Sequence, residues 1–160
     1  MSAAALLLLV VTWAHPGPSD DLHVGESPLP GIVLEVAVED RAVAVRAALD
    51  GPPPAWIVDE VVARHPTAVT YEVRLRARRR AWWDRRVWRG ELITRGAFDP
   101  ITGRYRCEAV LDGAIIASDD LGTAEGALDW LVRPPEIRIA LPDEQEPDAL
   151  RLRVRAVFST

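Results

Sequence analysis

Eight arginines stand at every second position in three separate runs: Arg74, Arg76 and Arg78; Arg104 and Arg106; Arg151, Arg153 and Arg155. A spacing of two puts the members of a run on one face of a β-strand. A guanidinium is a permanent planar donor that pairs bidentately with carboxylate or phosphate. If two such strands are neighbours, like charges face each other across the ladder, which costs stability. Internal acids offer one offset: Glu72, Glu91, Glu108 and the acidic stretch 143–148. The other offset is an anionic partner, such as an envelope protein with an acidic surface or an anionic lipid headgroup.

Aromatic residues interleave with part of this charge. Trp82, Trp83 and Trp88 lie among Arg78, Arg79, Arg80, Arg85, Arg86 and Arg89. Consecutive Trp on a strand face opposite sides, so one can join the core while the other is exposed, and Arg over Trp adds cation–π attraction. The candidate binding residues are therefore Arg74, Arg76, Arg78, Arg104, Arg106, Trp82, Trp83 and Arg85. The plainer alternative is core packing, with the charges protecting a strand edge.

Catalytic chemistry lacks its parts. His15 and His23 fall in a Pro-rich stretch, and His65 precedes Pro66 at a helix end, where a cation suits the dipole. One cysteine and scattered histidines have no metal-ligand spacing. Ser27, Ser118 and Ser159 sit in no nucleophile elbow, Cys107 has no base beside it, and no phosphate-cradling glycine loop is present. Asp84, Glu91 and Asp99 leave a carboxylate-dependent enzyme as a third reading, because paired acids leave little trace in a sequence. Asp84 and Asp99 also stand where turns favour Asp. No catalytic residue, metal or cofactor is expected.

Charge narrows the partner. The chain has net charge −5, yet residues 74–106 hold eleven Arg against Asp84, Glu91 and Asp99. An acidic protein with one basic stretch is a poor candidate for nucleic-acid binding. All nineteen cations are Arg, with no Lys and no Asn, as a GC-rich genome would produce. With 49% hydrophobic and 27% charged residues the balance is globular. One domain of roughly 130 residues buries enough surface to fold without metal or disulfide, and a lone Cys107 excludes an intramolecular one.

Ala3 to Trp13 is an apolar run of the length of a secretory signal. As a helix it would reach about 16 Å, about half of a bilayer core, so no transmembrane segment is expected. Thr12-Trp13-Ala14 places small residues where a signal peptidase reads. Residues 1–14 are thus read as a secretory signal cleaved after Ala14, 15–30 as a flexible Pro-rich linker, and 31–160 as a single domain. The expected location is periplasmic or otherwise extracytoplasmic.

Within that domain the hydrophobic period is mostly two. Ile32, Leu34, Val36 and Val38, then Val43, Val45, Ala47 and Leu49, predict a hairpin. Ile57, Val58, Val61 and Val62 predict a short helix that Pro66 closes. Val69 to Ala77 alternates cleanly. Val87 to Phe98 does so less cleanly, with Gly90 and Gly96 suggesting bulges or bends. Asp99, Pro100 and Gly103 predict a turn, followed by a strand with Tyr105, Cys107, Ala109 and Leu111 inward. Cys107 reads as a small buried hydrophobe. Asp112-Gly113 predicts another hairpin, Thr123 caps a second helix through Leu131, and Ile137 to Leu141 forms a short strand. A last strand carries Leu150, Leu152, Val154 and Ala156 inward. The fold class is β-rich α+β, a mostly antiparallel sheet or sandwich with one or two short helices.

The order of these features resembles a bacterial family, domain-of-unknown-function family 4390. The resemblance rests on Arg78-Arg79-Arg80, Trp82-Trp83-Asp84-Arg85, the stretch Phe98-Asp99-Pro100-Ile101-Thr102-Gly103-Arg104-Tyr105, and the later Leu121, Ala124, Ala127 and Leu128. It covers about residues 31–158. His65 stands where the family tends to have Gly, and Phe98 where it has Tyr. The resemblance implies an extracytoplasmic protein and supplies no activity. Together these observations favour a non-enzymatic cell-envelope binding or adaptor domain using the Arg/Trp-rich sheet face. A structural domain with an internally neutralised Arg ladder is the second reading.

Overall fold

A computed structural model describes residues 6–11, 31–39, 41–77, 85–141 and 149–159, with only the backbone described at 6–11, 39, 85 and 149. Among these residues, nine strands and two helices follow in the order β1 (Leu6–Val11), β2 (Gly31–Glu39), β3 (Ala42–Asp50), α1 (Ala55–Val62), β4 (Thr67–Ala77), β5 (Arg85–Asp99), β6 (Arg104–Leu111), β7 (Ala114–Leu121), α2 (Ala124–Val132), β8 (Ile137–Ala140) and β9 (Ala149–Ser159). They form a six-stranded sheet, β1-β9-β4-β5-β6-β7, and a three-stranded sheet, β2-β3-β8. Every pairing is antiparallel except that of β1, which runs parallel to β9 from Ala149 to Val154. The β-rich, mostly antiparallel α+β fold expected from the period-two pattern is the one observed, and of the two arrangements left open, one sheet or a sandwich, it takes the two-sheet form.

Alternation decides which face is inside. Val69, Tyr71, Val73, Leu75 and Ala77 of β4 are buried, as are Leu150, Leu152, Val154, Ala156 and Phe158 of β9 and Tyr105, Cys107 and Ala109 of β6. They join Val43, Val45, Ile57, Leu131 and Ile139 in one core between the large sheet and a layer made of the small sheet and both helices. Each Leu, Ile or Val so removed from water contributes roughly 1.5–3 kcal/mol.

Helix α2 is fixed at both ends. At the start, Gly126 N donates to Thr123 Oγ1 at 3.1 Å, satisfying one of the free amides of the first turn. In the last turn, the carbonyl of Leu131 accepts from Thr94 Oγ1 at 2.8 Å and Tyr71 OH at 3.1 Å. The two hydroxyls rise from neighbouring strands of the sheet beneath, so the helix is tied to β4 and β5 through a carbonyl that its own backbone leaves free. Burial pushes the Tyr71 phenol far above its ordinary pKa, which keeps it a neutral donor. Helix α1 is tied similarly, Tyr105 OH donating to Val61 O at 3.1 Å.

Two expectations need correction. Gly90 and Gly96 lie in regular register with Val73 and Thr67, and the register shift of β5 falls instead opposite Leu75/Arg76, where Val87 is the extra residue. Gly90 is needed for space, because a Cβ there would collide with the ring of Trp88, which folds back over it. On α1, Ile57 and Val61 are buried but Val62 is 61% exposed; the helix leaves the sheet at Ala63 and the chain reverses through Arg64 at φ 66°.

Candidate binding face

The outer face of the large sheet carries the residues that alternate with the core. On β4 these are Ala68, Thr70, Glu72, Arg74 and Arg76, and both flanking strands are basic at the same level. Arg74 stands opposite Arg89 of β5 and Arg153 of β9. Arg76 stands opposite Arg86 and Arg151. Six guanidinium groups therefore form two cross-strand rows, Arg89–Arg74–Arg153 and Arg86–Arg76–Arg151.

Arg86 and Arg89 are three residues apart and would face opposite sides of a regular strand. The extra residue Val87 brings them to the same side. A β-bulge thus completes both rows.

The next row is mixed. Glu72 lies between Arg155 and Glu91, accepts from Arg74 Nη2 at 3.3 Å, and has Arg155 Nη1 at 4.0 Å. Glu72, Arg74, Arg153 and Arg155 line a depression of about 70 Å³. Arg155 Nε is shielded there with no hydrogen-bond partner among the described residues.

The other end of the same face is arranged differently. Arg95 stands opposite Glu108 and donates from Nε to its Oε2 at 2.8 Å. Arg106 stands opposite Asp120, with Nε 3.8 Å from Oδ1, and Arg104 Nη2 donates to the Asp120 carbonyl. Between these pairs, Pro66, Ala68 and Ala97 floor a depression of about 270 Å³ rimmed by Arg95, Arg106 and Glu108.

The turn beneath this end is built as its residues suggest. Asp99 Oδ1 accepts from Ile101 N at 2.8 Å and Oδ2 from Thr102 Oγ1 at 3.0 Å, while Gly103 takes φ 69°. The Ile101 amide and the Thr102 hydroxyl hold the Asp99 carboxyl below its ordinary pKa. Pro100 occupies the turn's exposed tip. Cys107 is fully buried on the inner face, and burial, with Asp119 and Asp120 nearby, pushes its thiol up to about 11. It is therefore a neutral thiol and a weak nucleophile. His65 Nδ1 lies 2.7 Å from Glu60 Oε2 at the end of α1.

The structure thus divides the sequence-predicted binding residues. Arg74 and Arg76 belong to the rows, whereas Arg104 and Arg106 sit two strands away on β6 beside acidic partners. Arg85 begins β5, its side chain outside the description. Arg78, Trp82, Trp83 and Asp84, the acidic stretch 143–148, the proposed cleavage point after Ala14 and the linker 15–30 lie outside the described residues. Arg86, Arg89, Arg151 and Arg153 complete the site and were absent from that set. The i, i+2 spacing on β9 signalled the last two; nothing local signalled the bulge.

One family model, a domain of unknown function (DUF4390), matches residues 33–160. The chain belongs to this family. No curated protein and no solved structure matches it. The matched stretch of the DUF4390 domain runs from β2 to β9 and contains both arginine rows, the mixed row and the two depressions. Among the described residues, no helix is long and apolar enough to cross a membrane, and no three His, Cys, Asp or Glu gather as metal ligands.

Proposed function

We propose that this DUF4390 domain is a non-enzymatic docking module of the cell envelope that receives an anionic partner on the outer face of its large sheet. One observation carries the reading: three adjacent strands place Arg opposite Arg in two successive rows. Like charges directly opposite lower sheet stability, and the same arrangement suits recognition of carboxylate or phosphate groups. Glu72, which serves Arg74 and Arg155 from the row beyond, supports the second reading, a structural domain whose arginine ladder is neutralised internally.

Export rests on the apolar run Ala3 to Trp13. Six of its residues form β1 along β9; removal after Ala14 would free the β9 backbone edge from Ala149 to Val154, beside the two rows. In-cell photo-cross-linking from position 76, with the exposed position 33 on the small sheet as control, tests the reading. Adducts from 76 that disappear with Arg74→Glu/Arg89→Glu are expected. Equal adducts from both positions, or none from 76, would contradict it.

A further inference from the structure

The outer face changes character along its strands, and that gradient specifies the partner more closely than charge alone. Beyond the arginine rows and the mixed row lies Val157–Thr70–Ile93–Val110, one residue from each of four strands. Beyond that row the small side chains Ala68 and Ala97 leave the 270 Å³ depression. Ala68 is six residues from Arg74 on β4, about 20 Å at ~3.3 Å per residue. The face is therefore basic at one end and has an apolar hollow of side-chain size at the other.

We infer that the partner, on the docking reading above, is an extended acidic polypeptide segment. Its acids lie over Arg74, Arg76, Arg86 and Arg89, and one aromatic or large aliphatic side chain about seven residues away enters the Ala68/Ala97 depression. The rim of that depression selects a peptide over a lipid surface. Arg95 and Arg106 at that rim are already matched by Glu108 and by Asp120 of the adjoining β7. With its cations so matched, this end of the face offers little attraction to an anionic bilayer laid flat on it. For a peptide the mixed rim supplies donors and acceptors for main-chain groups around a buried anchor, the usual arrangement of an apolar pocket within a polar rim.

The test uses synthetic peptides with a Glu tract, a Gly-Ser spacer of about seven residues (~20 Å) and a terminal Trp, in both chain orders. The Trp-to-Ser version and phosphatidylglycerol vesicles are the comparisons. Fluorescence anisotropy on the full chain is expected to show the Trp peptide in one order binding about tenfold tighter than its Ser version. That gain should vanish in Ala97→Leu, which fills the depression at an exposed strand position, while Arg76→Glu/Arg89→Glu weakens both peptides. Circular dichroism confirms that each variant folds. Equal binding of Trp and Ser peptides with retained Arg dependence would overturn the anchor inference and leave the docking reading standing. Arg-dependent binding to vesicles in preference to either peptide would overturn it in favour of a lipid surface. Binding of neither peptide nor vesicles would overturn both readings.

Discussion

Two ends of one sheet face hold arginines in opposite company. At the β5–β6–β7 end, register places Arg95 opposite Glu108 and Arg106 opposite Asp120. At the β9–β4–β5 end it places Arg74 and Arg76 each between two further arginines. Composition does not separate the two cases, since Glu72 and Glu91 are as near in sequence to the rows as Glu108 is to Arg106. Strand order and register separate them. A run of alternating charge is neutralised or concentrated according to what the neighbouring strand presents, and here a one-residue bulge at Val87 concentrates it.

Several substitutions sharpen the contrast, beginning with the core that holds both ends. Leu152→Ala, fully buried under β9, is expected to cost about 2–5 kcal/mol in urea unfolding; a loss under about 1 kcal/mol would mean that the sheet's inner face does not carry the fold. Thr94→Val leaves the Leu131 carbonyl to Tyr71 alone and should cost roughly 1–2 kcal/mol, read by the same unfolding curve. Unchanged stability would show that this hydroxyl does not anchor α2.

The charged face should give smaller effects of opposite sign at its two ends. Arg95→Gln removes one member of an exposed pair and should lower stability by about 0.2–1 kcal/mol. Arg76→Gln relieves repulsion in its row and should raise stability by a few tenths of a kcal/mol, with the gain shrinking in high salt as screening increases. Equal signs for the two variants would erase the distinction between the ends.

The last effect belongs to the Asp99 turn. Because its folded carboxyl titrates below the ordinary Asp value, the ionised form favours the folded state. That contribution is fully present above the unfolded-state pKa and fades as pH falls through the folded one. Wild type should therefore exceed Asp99→Asn at pH 6, and the two unfolding curves should converge below about pH 4. A difference independent of pH would detach the turn from the carboxylate.

Much of the fold was legible because period-two burial is a local property. β4 and β9 follow the alternation residue by residue and β6 follows it as far as Ala109, and the Asp99-Pro100 and Asp112-Gly113 turns carry the backbone chemistry their residues favour. Asp112 and Gly113 both take positive φ, as a tight two-residue hairpin requires. The family was legible in the ordered Trp-Trp-Asp and Asp-Pro-Ile-Thr-Gly segments. The candidate site was only half legible. Which Arg runs are neighbours depends on strand order across more than seventy residues, between β4 and β9, and no local pattern encodes that. Gly90 shows the same limit: it reads as a bend in the sequence, yet its role is to leave room for the Trp88 ring.

The central claim is that the two arginine rows are held for recognition at some cost to folding. Urea unfolding of wild type and Arg76→Gln, at low and high salt, tests it most directly. The account predicts a more stable variant at low salt and a difference that disappears at high salt. A variant less stable than wild type would mean that the rows are neutralised within the protein, and would contradict the docking face.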